Sequence, residues 1–161
     1  MTDHANRDVA RRLWNAIAAA DVDELRRVIA PHAVWRMHGR SPLAGDHVGI
    51  DAIFAFMAHT GELADELESD LLEIFSSEEG AILRYSVRTQ RADRSLEIEH
   101  LFMIRVEDGQ VVEGVFAPVD QERYDRFWLG LPGLRTDEAN QHAQGASGKS
   151  NVRVLKAPAT V

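Results

Sequence analysis

Apolar residues recur every three or four positions in the N-terminal part of the chain, which is typical of amphipathic helices. This spacing predicts a first helix over residues 6–20 and a second, shorter helix over residues 21–30. Asp21 is expected to cap the second helix, and Pro31 is expected to end it. The same spacing returns at residue 50 and predicts a third helix after a turn-rich segment.

Apolar and polar residues alternate in five other segments with the period of two that indicates β-strands. The joints between the last four segments are short and polar, and Asp108-Gly109 favours a hairpin turn, so these strands are expected to pair as an antiparallel meander. Asp120 is expected to cap a last helix over residues 120–128. The five predicted strands are residues 33–38, 68–77, 80–91, 94–106 and 110–119.

The predicted helices and strands are largely segregated along the chain, and this order predicts an α+β fold rather than repeated βαβ units. Long strands that carry helices on one face must curve. We therefore expect a cone-shaped α+β barrel with three N-terminal helices packed on a strongly curved antiparallel sheet. Residues 1–129 are expected to form this domain. Residues 130–161 are expected to be a C-terminal extension, either flexible or packed on the body or on a neighbouring molecule.

Composition narrows the chemistry that this domain can perform. The chain has no cysteine, which excludes disulfides, thiolate catalysis and cysteine-ligated metals. Both lysines, Lys149 and Lys156, lie in the extension, so a Schiff-base lysine is not expected in the globular part. Residues 1–129 carry 14 arginines against 24 acidic residues, and this acidic body argues against a nucleic-acid partner.

The distribution of apolar residues bears on location as well. Hydrophobic residues make up 45% of the chain, an ordinary value for a protein with a buried core. No segment is apolar over the length of a membrane span, so no membrane partner is expected. The N-terminal sequence MTDHANRDVARR lacks the layout of a secretion signal, and a cytoplasmic location is expected.

Three stretches of the chain carry a family signature: LWNAIAAADVDELRRVIAPHAVW, AVWRMHGRSPLAGDHVGIDAIFAF and DGQVVEGVFAPVDQERYDRFW. They resemble the SnoaL-like proteins of the nuclear transport factor two superfamily, and the resemblance covers roughly residues 8–129. It implies a cone-shaped barrel, a ligand that enters at the open end, and a homodimer. We expect the outer face of the sheet to form the dimer contact. The superfamily contains ketosteroid isomerases, polyketide cyclases, epoxide hydrolases, dehydratases and members without catalysis, so the resemblance does not imply one reaction.

Acidic residues that the enzymes of this superfamily use are missing from the matching places of this chain. The position of the steroid isomerases' base aspartate holds Met37, and the region of their helix-1 tyrosine holds Leu13 and Trp14. Their protonated aspartate falls near His100. The polyketide cyclases' aspartate falls near residues 114–116, where no aspartate occurs.

Three residues are candidates for acid–base chemistry. His100 alternates with apolar residues on the third long strand, so it is expected to act as acid or base in an apolar pocket, unless a backbone group simply satisfies it. Glu113 is the only acid within the last strand and is expected in the cavity, facing solvent, or paired with an arginine such as Arg105. His38 lies in the loop near the expected mouth, where it could also bond locally.

Neither a metal nor a cofactor is expected. His38 and His47 do not form an HxH or HxxxH spacing with His100, and no glycine-rich loop resembles a phosphate cradle. The residues expected to line a ligand pocket are apolar and mostly aromatic, although such residues can equally form an ordinary core. They are Trp14, Trp35, Met37, Phe56, Tyr85, Phe102, Phe116 and Trp128.

Three functions remain open at this point. The first is a cofactor-free isomerase, cyclase, dehydratase or hydrolase that acts by proton transfer on a small lipophilic substrate. The second is a non-catalytic carrier or sensor of a small apolar ligand. The third is a dimeric interaction module with a vestigial pocket.

Overall fold

A computed structural model describes residues 2–129, which form four helices and one six-stranded sheet. The prediction for residues 130–161 lies outside the described residues. The helices are α1 (Asp3–Ala19), α2 (Val22–Val28), α3 (Ile50–Leu63) and α4 (Gln121–Trp128). The strands are β1 (Ile29–Met37), β2 (Gly45–Val48), β3 (Glu66–Ser76), β4 (Gly80–Arg91), β5 (Arg94–Glu107) and β6 (Gln110–Pro118).

The sheet has the strand order β2-β1-β6-β5-β4-β3. Strands β3 to β6 pair as the predicted antiparallel meander, whereas β1 lies parallel to β6. The sheet is therefore mixed, and it curls around the helices without closing, because β2 and β3 remain as its two edges. The α+β prediction is confirmed, and the expected wholly antiparallel sheet is corrected to a mixed one.

The helix boundaries follow the predicted caps with one correction. The side chain of Asp21 accepts a hydrogen bond from the Glu24 backbone N–H, and that of Asp120 accepts one from Arg123. Helix α2, however, ends at Val28, and Pro31 lies inside β1. A proline is tolerated there because the pairing of β1 with β6 is irregular between residues 29 and 34.

Side chains alternate between a buried inner face and an outer face along the long strands. On β5, the inner face carries His100 and Phe102, and the outer face carries Met103 and Arg105. Helix α1 lies against the inner faces of β3, β4 and β5 and buries Leu13 completely. None of the helices between residues 2 and 129 combines the length and the apolar character needed to cross a bilayer.

Candidate functional site

His100 lies on the inner face of β5 and is 3% exposed. Its alternation with Ile98 and Phe102 places the imidazole among apolar side chains, as the sequence pattern predicts. Burial lowers the pKa of His100 to about 4, because the protonated form would lose its hydration in this environment. The imidazole is therefore neutral near neutral pH, although a hydrogen bond to the Ile98 backbone partly opposes the lowering of its pKa.

Five rings from four elements follow one another across this part of the interior, and we call them the ring ladder. They are Trp14 of α1, Tyr85 of β4, His100 of β5, and Tyr124 and Trp128 of α4. The successive ring centroids are 5.2, 5.3, 5.2 and 6.2 Å apart. The register of the meander produces the central contact, because Tyr85 pairs directly with His100 and both side chains point inward.

The polar edges of the ring ladder are incompletely bonded. The indole Nε1 atom of Trp14 is buried and has no partner within residues 2–129, whereas the Trp128 side chain is hydrogen-bonded to Tyr124 and the His100 ring to the Ile98 backbone. A buried donor without a partner costs about 1–3 kcal/mol. Burial also raises the pKa of Tyr85 and that of Tyr124, so both hydroxyls stay protonated at neutral pH.

A second group of predicted pocket residues packs tightly, and we call it the packed cluster: Trp35, Phe56, Phe102 and Phe116. Phe102 and Phe116 stack with centroids 4.0 Å apart, and Trp35 meets both edge-on. Gly114 makes this approach possible, since a Cβ atom there would lie 2.5 Å from the Phe102 ring. Met37 is buried on β1 and pairs in register with Phe116. The aromatic side chains of the packed cluster are therefore in contact with one another.

Glu113 lies on the outer face of the sheet, on the side opposite His100. Its carboxylate pairs with Arg36 of β1 and with Arg105 of β5, and Arg105 is its direct register partner. An irregularity in the β5–β6 pairing next to this point puts Val111 on the inner face and Glu113 on the outer face. The structure therefore does not bring Glu113 and His100 together, and the arginine pairing is the arrangement observed.

His38 follows β1 directly and has an exposed side chain. Its backbone carbonyl accepts a hydrogen bond from the Gln121 amide of α4 at 3.1 Å. The neighbouring Asp125 is 3% exposed and accepts hydrogen bonds from the backbone N–H groups of Arg40 and Ser41 at 2.9 and 3.2 Å. The loop after β1 is thus fixed to α4, and α4 in turn carries two rings of the ladder.

His47 is buried on β2, and its ring centroid lies 4.3 Å from that of Phe56. Burial lowers the pKa of His47, and its Nε2 atom lies 3.3 Å from the Leu43 carbonyl. Within the described part of the chain, no three His, Asp or Glu side chains come together in a way that could hold a metal ion. His47 therefore reads as a structural histidine of the packed cluster.

Two concave surfaces of the described domain are lined by residues other than the eight predicted to contact a ligand. One lies on the outer face and includes Phe75, Met103 and Glu113. The other lies between the start of β5 and α4 and includes Leu96 and Phe127. The enclosed apolar pocket around His100 stays a prediction.

Tyr124, Gln121 and Asp125 belong to this site and were not among the predicted residues. Tyr124 lies four positions before Trp128, so both occupy one face of α4. That spacing was the signal that could have found Tyr124. Asp125 carried no comparable signal, because a carboxylate in a short helix ordinarily faces solvent.

Comparison with models of protein families shows which family this chain belongs to. The model of the SnoaL-like domain matches residues 10–114. The chain therefore belongs to the SnoaL-like family, and the resemblance noted in the sequence is confirmed. Uncharacterized proteins of Mycobacterium tuberculosis and Mycobacterium bovis are 29% identical to it over 130 residues, which cover 80% of this chain and 99% of each relative.

Solved structures agree with this assignment. Bal32a, from a soil-derived mobile gene cassette, is 27% identical with a TM-score of 0.73, covering 78% of this chain and 98% of its own. A proposed SnoaL-like polyketide cyclase from Jannaschia sp. CCS1 is 17% identical with a TM-score of 0.66, covering 81% and 95%. IdmH, a proposed polyketide cyclase from Streptomyces antibioticus, is 20% identical with a TM-score of 0.60, covering 78% and 99%. At these identities the last two likenesses concern the fold alone.

Proposed function

We propose that this protein binds a small lipophilic molecule in the interior of the curled sheet, at the ring ladder. The observation that carries the proposal is the buried His100, which lies in the middle of five rings contributed by four different elements. Aromatic rings contact it on both sides, from Tyr85 and from Tyr124. Such a site offers a ligand an apolar surface with a few polar contacts, which is the usual composition of a small-molecule site.

A cofactor-free enzyme that transfers a proton is the second candidate, of the isomerase, cyclase, dehydratase or hydrolase type. The contact of His100 with two tyrosine rings favours it, because imidazole and phenol groups together can move protons. A pKa of about 4 makes His100 a weak base at neutral pH, and Glu113 on the opposite face cannot assist it. These two facts support binding without catalysis, as in a carrier or sensor, more strongly than turnover.

We also propose a homodimer, formed through the outer face of the sheet, and a cytoplasmic location. Register aligns Phe75, Ile82, Met103 and Val115 across four neighbouring strands of that face. The flanking Arg84 and Arg105 are neutralised by carboxylates of the same chain, so a second copy of this face would meet little uncompensated charge. A chain without cysteine needs no disulfide to fold and is compatible with a reducing compartment.

Naphthalene is a suitable probe for the proposed site because it is small, neutral and purely apolar. Titration is followed by the fluorescence of the three tryptophans, all of which are buried in the interior. We expect a saturable change with one molecule bound per chain. The variant Met103→Glu, on the outer face, serves as the control and should bind equally well. Absence of a saturable change, or loss of binding in the control, would contradict an interior site formed by a single chain.

A further inference from the structure

A groove on the surface of the domain lies between the first residues of β5 and helix α4. Its lining combines two buried apolar side chains with three exposed arginines and a serine. The lining residues are Arg94, Ser95 and Leu96 of β5 and Arg123, Arg126 and Phe127 of α4.

The sequence of α4 places the groove and the ring ladder on different faces of the helix. Arg123, Arg126 and Phe127 are spaced three and four residues apart, so they lie together on one face. Tyr124 and Trp128 lie on a neighbouring face and contact each other within the ring ladder. The groove is therefore separate from the ring ladder, although α4 contributes to both.

The arginines of this groove are less neutralised than others in the domain. Within residues 2–129, Arg94 and Arg123 form no ion pair, and the lining of the groove contains no carboxylate. Arg126 pairs with Glu122, but these side chains are 72% and 74% exposed, and such exposed pairs are weak. By contrast, Arg105 in the concave surface of the outer face is held by two carboxylates. The groove thus concentrates positive charge on an otherwise acidic domain.

This combination of groups favours one class of ligand. A guanidinium group is planar, stays charged and can donate two parallel hydrogen bonds to a carboxylate or a phosphate. An apolar group attached to that anion would rest against Leu96 and Phe127, which a bare inorganic anion would leave uncovered. A long polyanion such as a nucleic acid would meet the acidic remainder of the domain.

We propose that this groove is a second binding site, which takes a small organic anion: a carboxylate or phosphate carried by an aromatic or aliphatic group. Arg94 and Arg123 bind the anionic group from β5 and from α4, and Phe127 contacts the apolar part. The inference goes beyond the proposed function, because it concerns a different surface and a charged ligand. The centroids of the Phe127 and Trp128 rings are 4.8 Å apart, so an occupant of the groove lies one ring away from the ladder.

The test compares 2-naphthoate with 2-naphthamide, which has the same ring system without the charge. Both are titrated into the full chain labelled with ¹⁵N, and backbone amide signals report where each one binds. We expect 2-naphthoate to shift the amides of Ser95 and Phe127 saturably, to bind the groove about tenfold more tightly than the amide does, and to lose affinity as salt is added. Titration with 2-naphthyl phosphate then shows whether a phosphate or a carboxylate is preferred.

Arginine variants test the assigned contacts. Arg94→Gln and Arg123→Gln should each weaken 2-naphthoate binding about tenfold, because a charge-assisted hydrogen bond is lost, and should leave 2-naphthamide binding unchanged. Arg11→Gln removes the same charge from an exposed position of α1 outside the groove and should bind 2-naphthoate as the parent does.

Three results would overturn the inference. The first is equal affinity of the parent for the charged and the neutral probe. The second is an equal loss of 2-naphthoate affinity in Arg11→Gln and Arg123→Gln, which would mean that only the total charge of the protein matters. The third is binding that appears only after Asp137→Asn and Glu138→Gln are combined, because the chain's own acidic residues would then be the occupant.

The position of the shifted signals separates this inference from the proposed function. If 2-naphthoate shifted the amides of Tyr85 and His100 and not those of Ser95 and Phe127, it would bind at the ring ladder, and the inference alone would be wrong. If naphthalene failed to bind while 2-naphthoate bound the groove, the proposed function would be wrong and the inference would stand.

Discussion

The protonation of His100 should be visible in the stability of the whole protein. Burial lowers the pKa of His100 from its ordinary value of 6.5 to about 4. Between these values the unfolded chain takes up a proton that the folded chain does not, so the free energy of unfolding falls as the pH falls. From about pH 7.5 to about pH 5 the loss due to this one residue is about 2 kcal/mol.

The variant His100→Phe isolates this contribution, because it keeps a ring in the site and cannot titrate. Urea unfolding across the same pH range should show a smaller loss of stability in the variant than in the parent. Burial lowers the pKa of His47 in the same direction, but His47 is present in both proteins and cancels in the difference. If the free energy of unfolding changed with pH equally in the parent and in His100→Phe, His100 would be hydrated in the folded protein and burial would not lower its pKa.

The two predicted catalytic residues on the strands illustrate what a single residue's pattern can and cannot predict. His100 lies in a regular stretch of β5, so alternation with its neighbours was enough to place it on the inner face. Glu113 lies beside an irregularity in the β5–β6 pairing, which moves it to the face opposite Val111. Alternation carries no information on where a strand is irregular, so the face of Glu113 could not be predicted.

At the scale of elements, the attachment of α4 depends on one buried carboxylate. Asp125 accepts hydrogen bonds from Arg40, Ser41 and Gln121, and a Cβ atom on Gly39 would collide with the Gln121 and Asp125 side chains. Asp125→Ala would leave two backbone N–H groups without their acceptor and should lower the free energy of unfolding by about 2–4 kcal/mol. Urea unfolding at neutral pH measures this loss.

Two other acidic residues of the same region provide matched controls for that measurement. Asp120→Ala removes only the N-cap of α4 and should cost about 1 kcal/mol. Glu122→Ala breaks an exposed pair with Arg126 and should cost less than about 0.5 kcal/mol. If Asp125→Ala cost no more than Glu122→Ala, the loop after β1 would not be held by α4.

The elements themselves were predictable where one local signal dominated. The caps at Asp21 and Asp120 and the meander from β3 to β6 follow from side-chain chemistry and short turns. Strand β2 was not predicted, because its four residues lie in a segment rich in glycine. Its extended conformation depends on pairing with β1, which the local sequence does not indicate. The parallel pairing of β1 with β6 joins distant parts of the chain, so it could not be predicted from the pattern of neighbouring residues.

At the scale of the whole molecule, the curled sheet gives its two faces different roles. The inner face holds the ring ladder and the packed cluster, whereas the outer face combines apolar side chains with paired charges. Phe75 and Met103 are 46% and 37% exposed, and register places them in one row with Ile82 and Val115. Exposed apolar side chains in such a row are typical of an interface between proteins.

The proposed homodimer can be tested on this row independently of ligand binding. Met103→Glu places a carboxylate in the middle of the row, and in a dimer formed through this face it would bury charge without a partner. Sedimentation velocity over a wide concentration range should show a dimer for the parent and a monomer for this variant. Val22→Glu alters an exposed apolar residue of α2, away from the sheet, and should remain dimeric. A dimeric Met103→Glu protein, or a parent that is monomeric at every concentration, would exclude this face as the interface. Naphthalene binding that persists in the monomeric variant would further show that each chain forms its interior site alone.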